Sequence, residues 1–246
     1  MKNPLIWAHR GASGHAPENT LPAFRLAAEM GADGVELDVQ LTKDKEIVVC
    51  HDEKVDRTSN GAGWIRDLTL AELRSLDFSN GNLAFEGTAI PTLEEVFDLL
   101  RDTSLTINIE LKTGIVFYEM EEQLLTLTKN AGFADRVIYS SFNHYSVQKI
   151  RALDPAAKTG ILYADGPVDV VSYGKKLQAD ALHPALYNLQ FPGFMEAAND
   201  AGLMVNVWTV NEKAYLLMCK ELGVHAVITN YPEKAKQIFE ENTHGI

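Results

Sequence analysis

Cysteine is scarce in this chain: 246 residues contain two, Cys50 and Cys219. So few exclude a disulfide framework and a cysteine zinc site. Cys50 stands in an apolar run and Cys219 in a helical pattern, which reads both as small buried hydrophobes. Long apolar runs are lacking too. Leu5 to Ala8, ahead of His9 and Arg10, is too short for a signal-peptide core. No stretch approaches the ~20 apolar residues of a membrane helix, so the default compartment is the cytoplasm. Positive charge is in deficit, with 22 basic against 34 acidic residues and a formal net charge of −12. That balance argues against general nucleic-acid binding and against stable association with anionic membranes. An anionic substrate would need a local group to attract it. No G-x-G-x-x-G follows the first apolar run, which weakens a dinucleotide-binding reading.

What is there has the composition of a soluble globular protein, 46% apolar and 23% charged, and residues 1–246 are expected to form a single domain. β-rich runs alternate with helical patterns. The candidate strands are Leu5–His9, Gly34–Leu41, Thr106–Lys112, Val137–Phe142, Thr159–Tyr163, Ala181–His183, Met204–Val210 and Ala226–Thr229. A helical pattern follows each, such as Leu21–Met30, Leu93–Arg101, Tyr118–Ala131, His144–Leu153 and Glu212–Leu222. The joins "MGADGVELD", "LQADALHP" and "LGVHAVITN" each end a helix and launch a buried strand, with Gly31 and Gly223 as left-handed helix stops. Eight βα units in this length match a (β/α)8 TIM barrel, with a doubly wound open sheet as the rival. Asp52–Pro91 breaks the rhythm and reads as a small insertion after the second barrel strand. It begins beyond the further apolar run Ile47–Cys50 and carries a capped short helix in "LTLAEL". An insertion there serves either the site or the bottom of the barrel as a cover.

"VELDVQ" sets Glu36 and Asp38 two apart on one strand, hence on one face, and "NIELK" repeats the spacing with Glu110 and Lys112. On barrel strands that face is the interior, where charge must be paired or hold a metal. A salt-bridge cluster around Lys112 is the plainer reading. Three carboxylates against one lysine leave surplus negative charge, which a divalent cation relieves. Oxygen-only ligands favour Mg2+ or Ca2+ over zinc. Among the histidines, His9, His51 and His183 end strand-like runs, whereas His15, His144, His225 and His244 read as surface residues. Arg10 offers a planar fork for a phosphate or for one of the carboxylates. Trp208 reads equally as a wall at the mouth and as core packing. A metal, a basic fork, a lysine and two histidines suit attack on phosphorus, with the histidines exchanging acid and base roles.

At these residues the sequence closely resembles the glycerophosphodiester phosphodiesterases. The shared motifs are "HRG" at His9–Gly11, "PENT" at Pro17–Thr20, "GADGVELDVQLTKD" at Gly31–Asp44, "HD" at His51–Asp52, "RTSNGAG", "IPTLEEV", "IELK" and "VWTVN". The resemblance implies a (β/α)8 barrel that hydrolyses a small-molecule glycerophosphodiester to glycerol 3-phosphate and an alcohol. It implies His9 and His51 as the acid–base pair, and Glu36, Asp38 and Glu110 as ligands of one divalent cation, Mg2+ or Ca2+. Arg10 and Lys112 would contact the phosphate, Trp208 would lie near the glycerol end, and His183 is grouped with these substrate-side residues. The implied mechanism is in-line attack of the glycerol 2-hydroxyl, followed by hydrolysis of a cyclic phosphate. "ITNYP" carries Asn230 where many members have aspartate, a position to which no role is attached. Gly11 and Gly14 are expected to let the backbone approach a phosphate, Glu18 to support Arg10, and Pro17, Asn19 and Thr20 to stop the loop and cap the first helix. A homo-oligomer is compatible with this reading. A lysophospholipid-directed phosphodiesterase on the same barrel is the second reading, with the acidic charge and the absent membrane helix against it. A retired, ligand-binding barrel is the third, and no metal ligand or acid–base group is missing to support it.

Overall fold

The structure, a computed structural model, describes residues 2–241. Eight parallel strands close into a barrel: β1 (Leu5–His9), β2 (Gly34–Leu41), β4 (Thr106–Leu111), β5 (Val137–Ser141), β6 (Lys158–Tyr163), β7 (Ala181–Pro184), β8 (Met204–Val207) and β9 (Ala226–Thr229). Pairing of β1 with both β9 and β2 makes the closure. β3 (Ile47–Val49), the further apolar run after the second barrel strand, is antiparallel to β2. The barrel is wrapped by α1 (Leu21–Glu29), α3 (Leu93–Leu100), α4 (Glu121–Asn130), α5 (His144–Leu153), α6 (Val170–Lys176), α7 (Phe194–Asp200), α8 (Lys213–Leu222) and α9 (Pro232–Glu241), while α2 (Leu70–Arg74) lies in the insertion. None of these helices is long and apolar enough to cross a membrane.

The helices form where caps and apolar spacing coincide. Thr92 and Glu95 make a reciprocal capping box at the start of α3, and Leu93, Val96, Phe97 and Leu100 bury one face. Thr69 and Glu72 do the same for α2, the short capped helix read from "LTLAEL". Gly31 and Gly223 have φ of +73° and +70° after α1 and α8, as helix stops require. The helical pattern read from Tyr118 starts later, at Glu121. Residues 115–120 alternate instead: Val116, Tyr118 and Met120 are buried, and Ile115 and Phe117 are exposed. A period of two belongs to extended chain and cannot line one helix face.

The alternation along each barrel strand sends Val35, Leu37, Ile107 and Ile109 outward into the layer beneath the helices. It sends Trp7, Ile138, Ala226 and Ile228 inward to fill the barrel. The insertion has its own small core, in which Val48 and Cys50 meet Val55, Ile65, Leu73, Phe78 and Ile90. It lies against β3 and the turn at the C-terminal end of β2, where Lys43 N–H donates to the Leu68 carbonyl. It is therefore not a cover for the barrel bottom. Cys50 and Cys219 are both free and buried.

Candidate active site

The register of the sheet assembles the site. Asp38 pairs with Glu110 and Glu36 with Asn108 across β2 and β4, so the three carboxylates project inward at the C-terminal end of the barrel. Oxygen atoms of Glu36, Asp38 and Glu110 lie within 4.8 Å of one another, and all three residues are buried. One edge of β2 is shared: β1 pairs with it up to His9 opposite Glu36, and β3 pairs with it from Val39 onward. Because β1 stops at His9 and β3 runs back toward it along the same edge, His51 comes to line the same cavity as His9. The Gln40 side chain fixes that turn, its amide N–H2 reaching the carbonyls of Cys50, His51 and Asp52 at 3.1, 3.2 and 2.6 Å. A small cavity at this end is lined by His9, Arg10, Glu36, His51, Asn108, Glu110, Phe142, Leu162, Trp208 and Ile228.

The cluster is cross-braced by cations and amides. Arg10 lies in the left-handed region at φ +55°. Its backbone N–H donates to Glu36 Oε2 at 3.0 Å, its Nη1 to Glu18 Oε1 at 2.8 Å, and its Nε lies 3.4 Å from Asp38 Oδ2. Arg10 thus pairs with carboxylates, and Glu18 supports it. Lys112 Nζ donates to Glu110 Oε1 at 2.9 Å and stands 3.9 Å from Asp38 Oδ1. Asn19 Nδ2 donates to Asp38 Oδ2 at 2.8 Å. Among the described residues, Asp38 Oδ1 is buried with no hydrogen-bond partner. Burial would raise the Asp38 carboxyl, but Arg10, His51, Lys112 and Asn19 hold it below its usual value. Burial and the charge on Asp38 push Glu110 up to about 7, and the same causes with Glu110 added push Glu36 well up. Two cations therefore do not neutralise three carboxylates.

The two histidines differ in partner. His9 Nδ1 lies 2.7 Å from Asn230 Oδ1, an acceptor, so Nδ1 carries the proton and Nε2, 4.0 Å from Glu36, keeps its lone pair. Burial, then Arg10, lower His9 to about 4. His51 Nδ1 donates to Asp52 Oδ1 at 2.6 Å, a carboxylate that holds the ring in one orientation. Asn230, Asn108, Asp52, Asn19 and Gln40 are site residues to which the sequence reading attached no chemistry. For Asn230 the sequence signal was its place directly after the run Ala226–Thr229, in "ITNYP".

His183 is placed differently from the substrate-side expectation. Its side chain is fully buried inside the barrel, with Nε2 2.9 Å from Asn206 Nδ2 and its ring above Gly160, and it does not line the cavity. Its carbonyl does serve the site, accepting from Trp208 Nε1 at 2.8 Å. Among the remaining histidines, His15 and His225 are exposed as read. His144 is half-buried instead, 2.8 Å from the Leu162 carbonyl, and His244 lies outside the described residues. Gly11 and Gly14 also have another cause. A Cβ on Gly11 would sit 2.6 Å from the Ala23 backbone, and one on Gly14 would enter the Tyr231 ring. Both glycines admit close packing.

Burial, with His225 adding to it, lowers His183 to about 3, against 6.5 in the unfolded chain. Between those values the unfolded chain binds the extra proton, so stability is present above pH 6.5 and is lost as pH falls. The loss is about 2 kcal/mol by pH 5. Urea unfolding of His183→Gln at pH 7.5 and pH 5 is expected to show a pH dependence shallower than wild type by about that amount. An equal slope would contradict it.

Trp208 is half-buried, edge-on to Phe142 with ring centroids 5.6 Å apart, and it borders the cavity. Trp208→Ala is expected to raise KM for a glycerophosphodiester by about tenfold, the scale of one desolvated aromatic contact. An unchanged KM would make this residue packing alone.

Acid–base groups and cations facing one carboxylate cluster, at the catalytic end of a (β/α)8 barrel, define a hydrolase of anionic esters. Comparison with known proteins specifies which. Residues 9–234 match the model of the Glycerophosphoryl diester phosphodiesterase family, and the chain belongs to that family; its activity is that of a glycerophosphodiester phosphodiesterase. A glycerophosphodiester phosphodiesterase of Caldanaerobacter subterraneus subsp. tengcongensis is 45% identical over 231 residues, covering 93% of this chain and 95% of that one. An Oleispira antarctica phosphodiesterase, solved with the product sn-glycerol-3-phosphate, superposes with a TM-score of 0.86 at 30% identity, covering 97% of each chain. The Thermotoga maritima glycerophosphodiester phosphodiesterase gives 0.82 at 30% identity, covering 97% of this chain and 99% of that one.

Proposed function

We propose that the protein hydrolyses glycerophosphodiesters such as glycerophosphocholine or glycerophosphoethanolamine to sn-glycerol 3-phosphate and the alcohol, with one divalent cation held by Glu36, Asp38 and Glu110. The observation that carries this reading is the carboxylate cluster: its oxygens converge within 4.8 Å and, among the described residues, Asp38 Oδ1 is buried without a hydrogen-bond partner. That donor set is all oxygen and suits Mg2+ or Ca2+. When bound, the cation supplies Lewis acidity to a phosphoryl oxygen and lowers the pKa of a nearby hydroxyl.

The chain's own residues account for the proton transfers. His9 presents a bare Nε2 toward the cluster and takes the proton of the glycerol 2-hydroxyl as that oxygen bonds to phosphorus. His51, oriented by Asp52, gives a proton to the leaving alcohol oxygen as the phosphorus–oxygen bond breaks. In the second step the roles reverse: His51 removes a proton from water attacking the cyclic phosphate, and His9 returns one to the glycerol 2-oxygen. Arg10 and Lys112 offset charge on the phosphoryl oxygens, and Trp208 borders the glycerol end.

A substrate panel on chelator-stripped protein, with Mg2+, Ca2+ and Mn2+ added back singly, tests this by measuring glycerol 3-phosphate released. Release only with metal is expected. Full activity after EDTA would overturn the metal site, and turnover of a diester lacking the neighbouring hydroxyl would overturn the cyclic route.

A further inference from the structure

The motif "RTSNGAG" lies outside the cavity, yet its backbone is built with care around one side chain. Arg57 ends a 3-10 turn of the insertion, Val55–Arg57. Val55 N–H donates to the Gly63 carbonyl, and Ser59 Oγ donates to the Val55 carbonyl, closing the loop on itself. Asn60 N–H donates to the Asp77 carbonyl, while Asn60 Oδ1 accepts from Asp77 N–H, pinning the loop to the insertion core. A Cβ on Gly61 would lie 2.6 Å from the Leu76 side chain. The turn that results presents a guanidinium to two carboxylates at once. Arg57 Nε and Nη2 reach Asp52 Oδ2 and Oδ1 at 2.7 and 3.0 Å, and Nη1 and Nη2 reach Glu18 Oε2 and Oε1 at 2.7 and 2.8 Å. Both pairs are bidentate, the geometry that fixes a carboxylate in position as well as in plane.

Each of these carboxylates has a second partner in the site. Glu18 Oε1 holds Arg10 Nη1 at 2.8 Å, and Asp52 Oδ1 holds His51 Nδ1 at 2.6 Å. The result is one unbroken chain, Arg10–Glu18–Arg57–Asp52–His51, which joins the phosphate fork to an acid–base group across two separate loops. Arg57 itself is 45% exposed at the side chain and does not border the cavity. A lone exposed ion pair contributes little to stability. A doubly bidentate one that ends on two reactive groups has a different use.

We propose that Arg57 is a positioning residue, through which the insertion sets the orientation of His51 and Arg10 together. This rests on the reading of those two residues given above. It gives the insertion a task beyond packing, since Arg57 stands outside the insertion's apolar core.

Two measurements decide it. The first is a double-mutant cycle with Arg57→Met and His51→Ala, assayed for kcat. Arg57→Met alone is expected to lower kcat about tenfold, the usual scale for losing the partner of a catalytic group, and Arg57→Lys, which can hold one carboxylate, to recover part of it. In the His51→Ala background the same change is expected to cost much less, because it acts through the missing imidazole. Equal loss in both backgrounds, or no loss in the first, overturns the proposal. The second needs no turnover: long-range 1H–15N spectra of the imidazoles. Wild type is expected to show His51 protonated at Nδ1 in one tautomeric setting, and Arg57→Met to show exchange between tautomers. An unchanged His51 pattern overturns the proposal. If wild type releases no glycerol 3-phosphate from any diester, the functional reading fails, and the spectra still decide Arg57. Should Arg57→Met not fold, Arg57→Gln, which stays polar but loses both bidentate pairs, gives the same spectral test.

Discussion

Replacing His9 with alanine is expected to lower kcat about 10^2–10^4-fold, the range for losing a positioned general base, with metal affinity and KM little changed. The expectation follows from what His9 touches. Nδ1 is committed to Asn230, so the imidazole has one nitrogen to offer, and that nitrogen faces the carboxylate cluster. With burial and Arg10 lowering His9 to about 4, it is unprotonated at neutral pH without any change of state. None of the three carboxylates depends on His9 for a hydrogen bond: Glu36 accepts from Arg10, Asp38 from Asn19 and Glu110 from Lys112. The variant therefore removes a proton acceptor and leaves the ligands in place. Steady-state kinetics with saturating Mg2+, paired with calorimetric titration of the metal, separate the two effects. A variant that lost metal affinity in step with kcat would mean that His9 supports the cluster, and near-wild-type kcat would remove it from the mechanism.

Much of this site was legible before the structure because strand periodicity is strict. Glu36 and Asp38 had to share a face, Glu110 and Lys112 had to share another, and neighbouring parallel strands had to bring them level. The register of Asp38 with Glu110 is what that argument requires. The capped helix in "LTLAEL" and the glycine stops at Gly31 and Gly223 were equally local, and they stand where they were read. What escaped the sequence depends on tertiary partners. Asn19 looked like part of a helix cap beside Thr20; Thr20 does cap α1, but Asn19 turns back through φ +57° to hold Asp38. Gly14 looked like room for a phosphate, and its room is taken by Tyr231, which lies 217 residues away along the chain. His183 ends its strand like His9, yet it sits one layer deeper, above Gly160, where a residue with any side chain would have displaced it. Strand ends identify the layer only once the shear of the barrel is known.

Glu36→Gln is the change expected to abolish most activity by a different route, the loss of the metal. Gln keeps the volume and still offers an oxygen to the Arg10 N–H, so the loop and the barrel should hold. What it removes is one of three charges around the cation. Without metal, Glu36 is pushed well up by burial and by the charges of Asp38 and Glu110, so in that state the wild-type carboxyl already leans toward its neutral form. The variant's melting temperature in EDTA is therefore expected to equal or exceed that of wild type. With saturating Mg2+ or Ca2+ the order should reverse, because only wild type gains the binding term, about 2.7 kcal/mol at a metal concentration one hundred times Kd. The same carboxyls give the metal affinity a direction with pH. Glu110 at about 7 in the absence of metal carries a proton that the cation must displace, so affinity should rise as pH is raised through 7 and fall below it. A thermal-shift titration of both proteins at two pH values, with kcat measured on the same samples, reads all of this together. Rescue of Glu36→Gln by excess metal fits the assignment. Unchanged metal affinity, or a lower melting temperature than wild type in EDTA, would show that Glu36 braces the Arg10 loop and is no ligand.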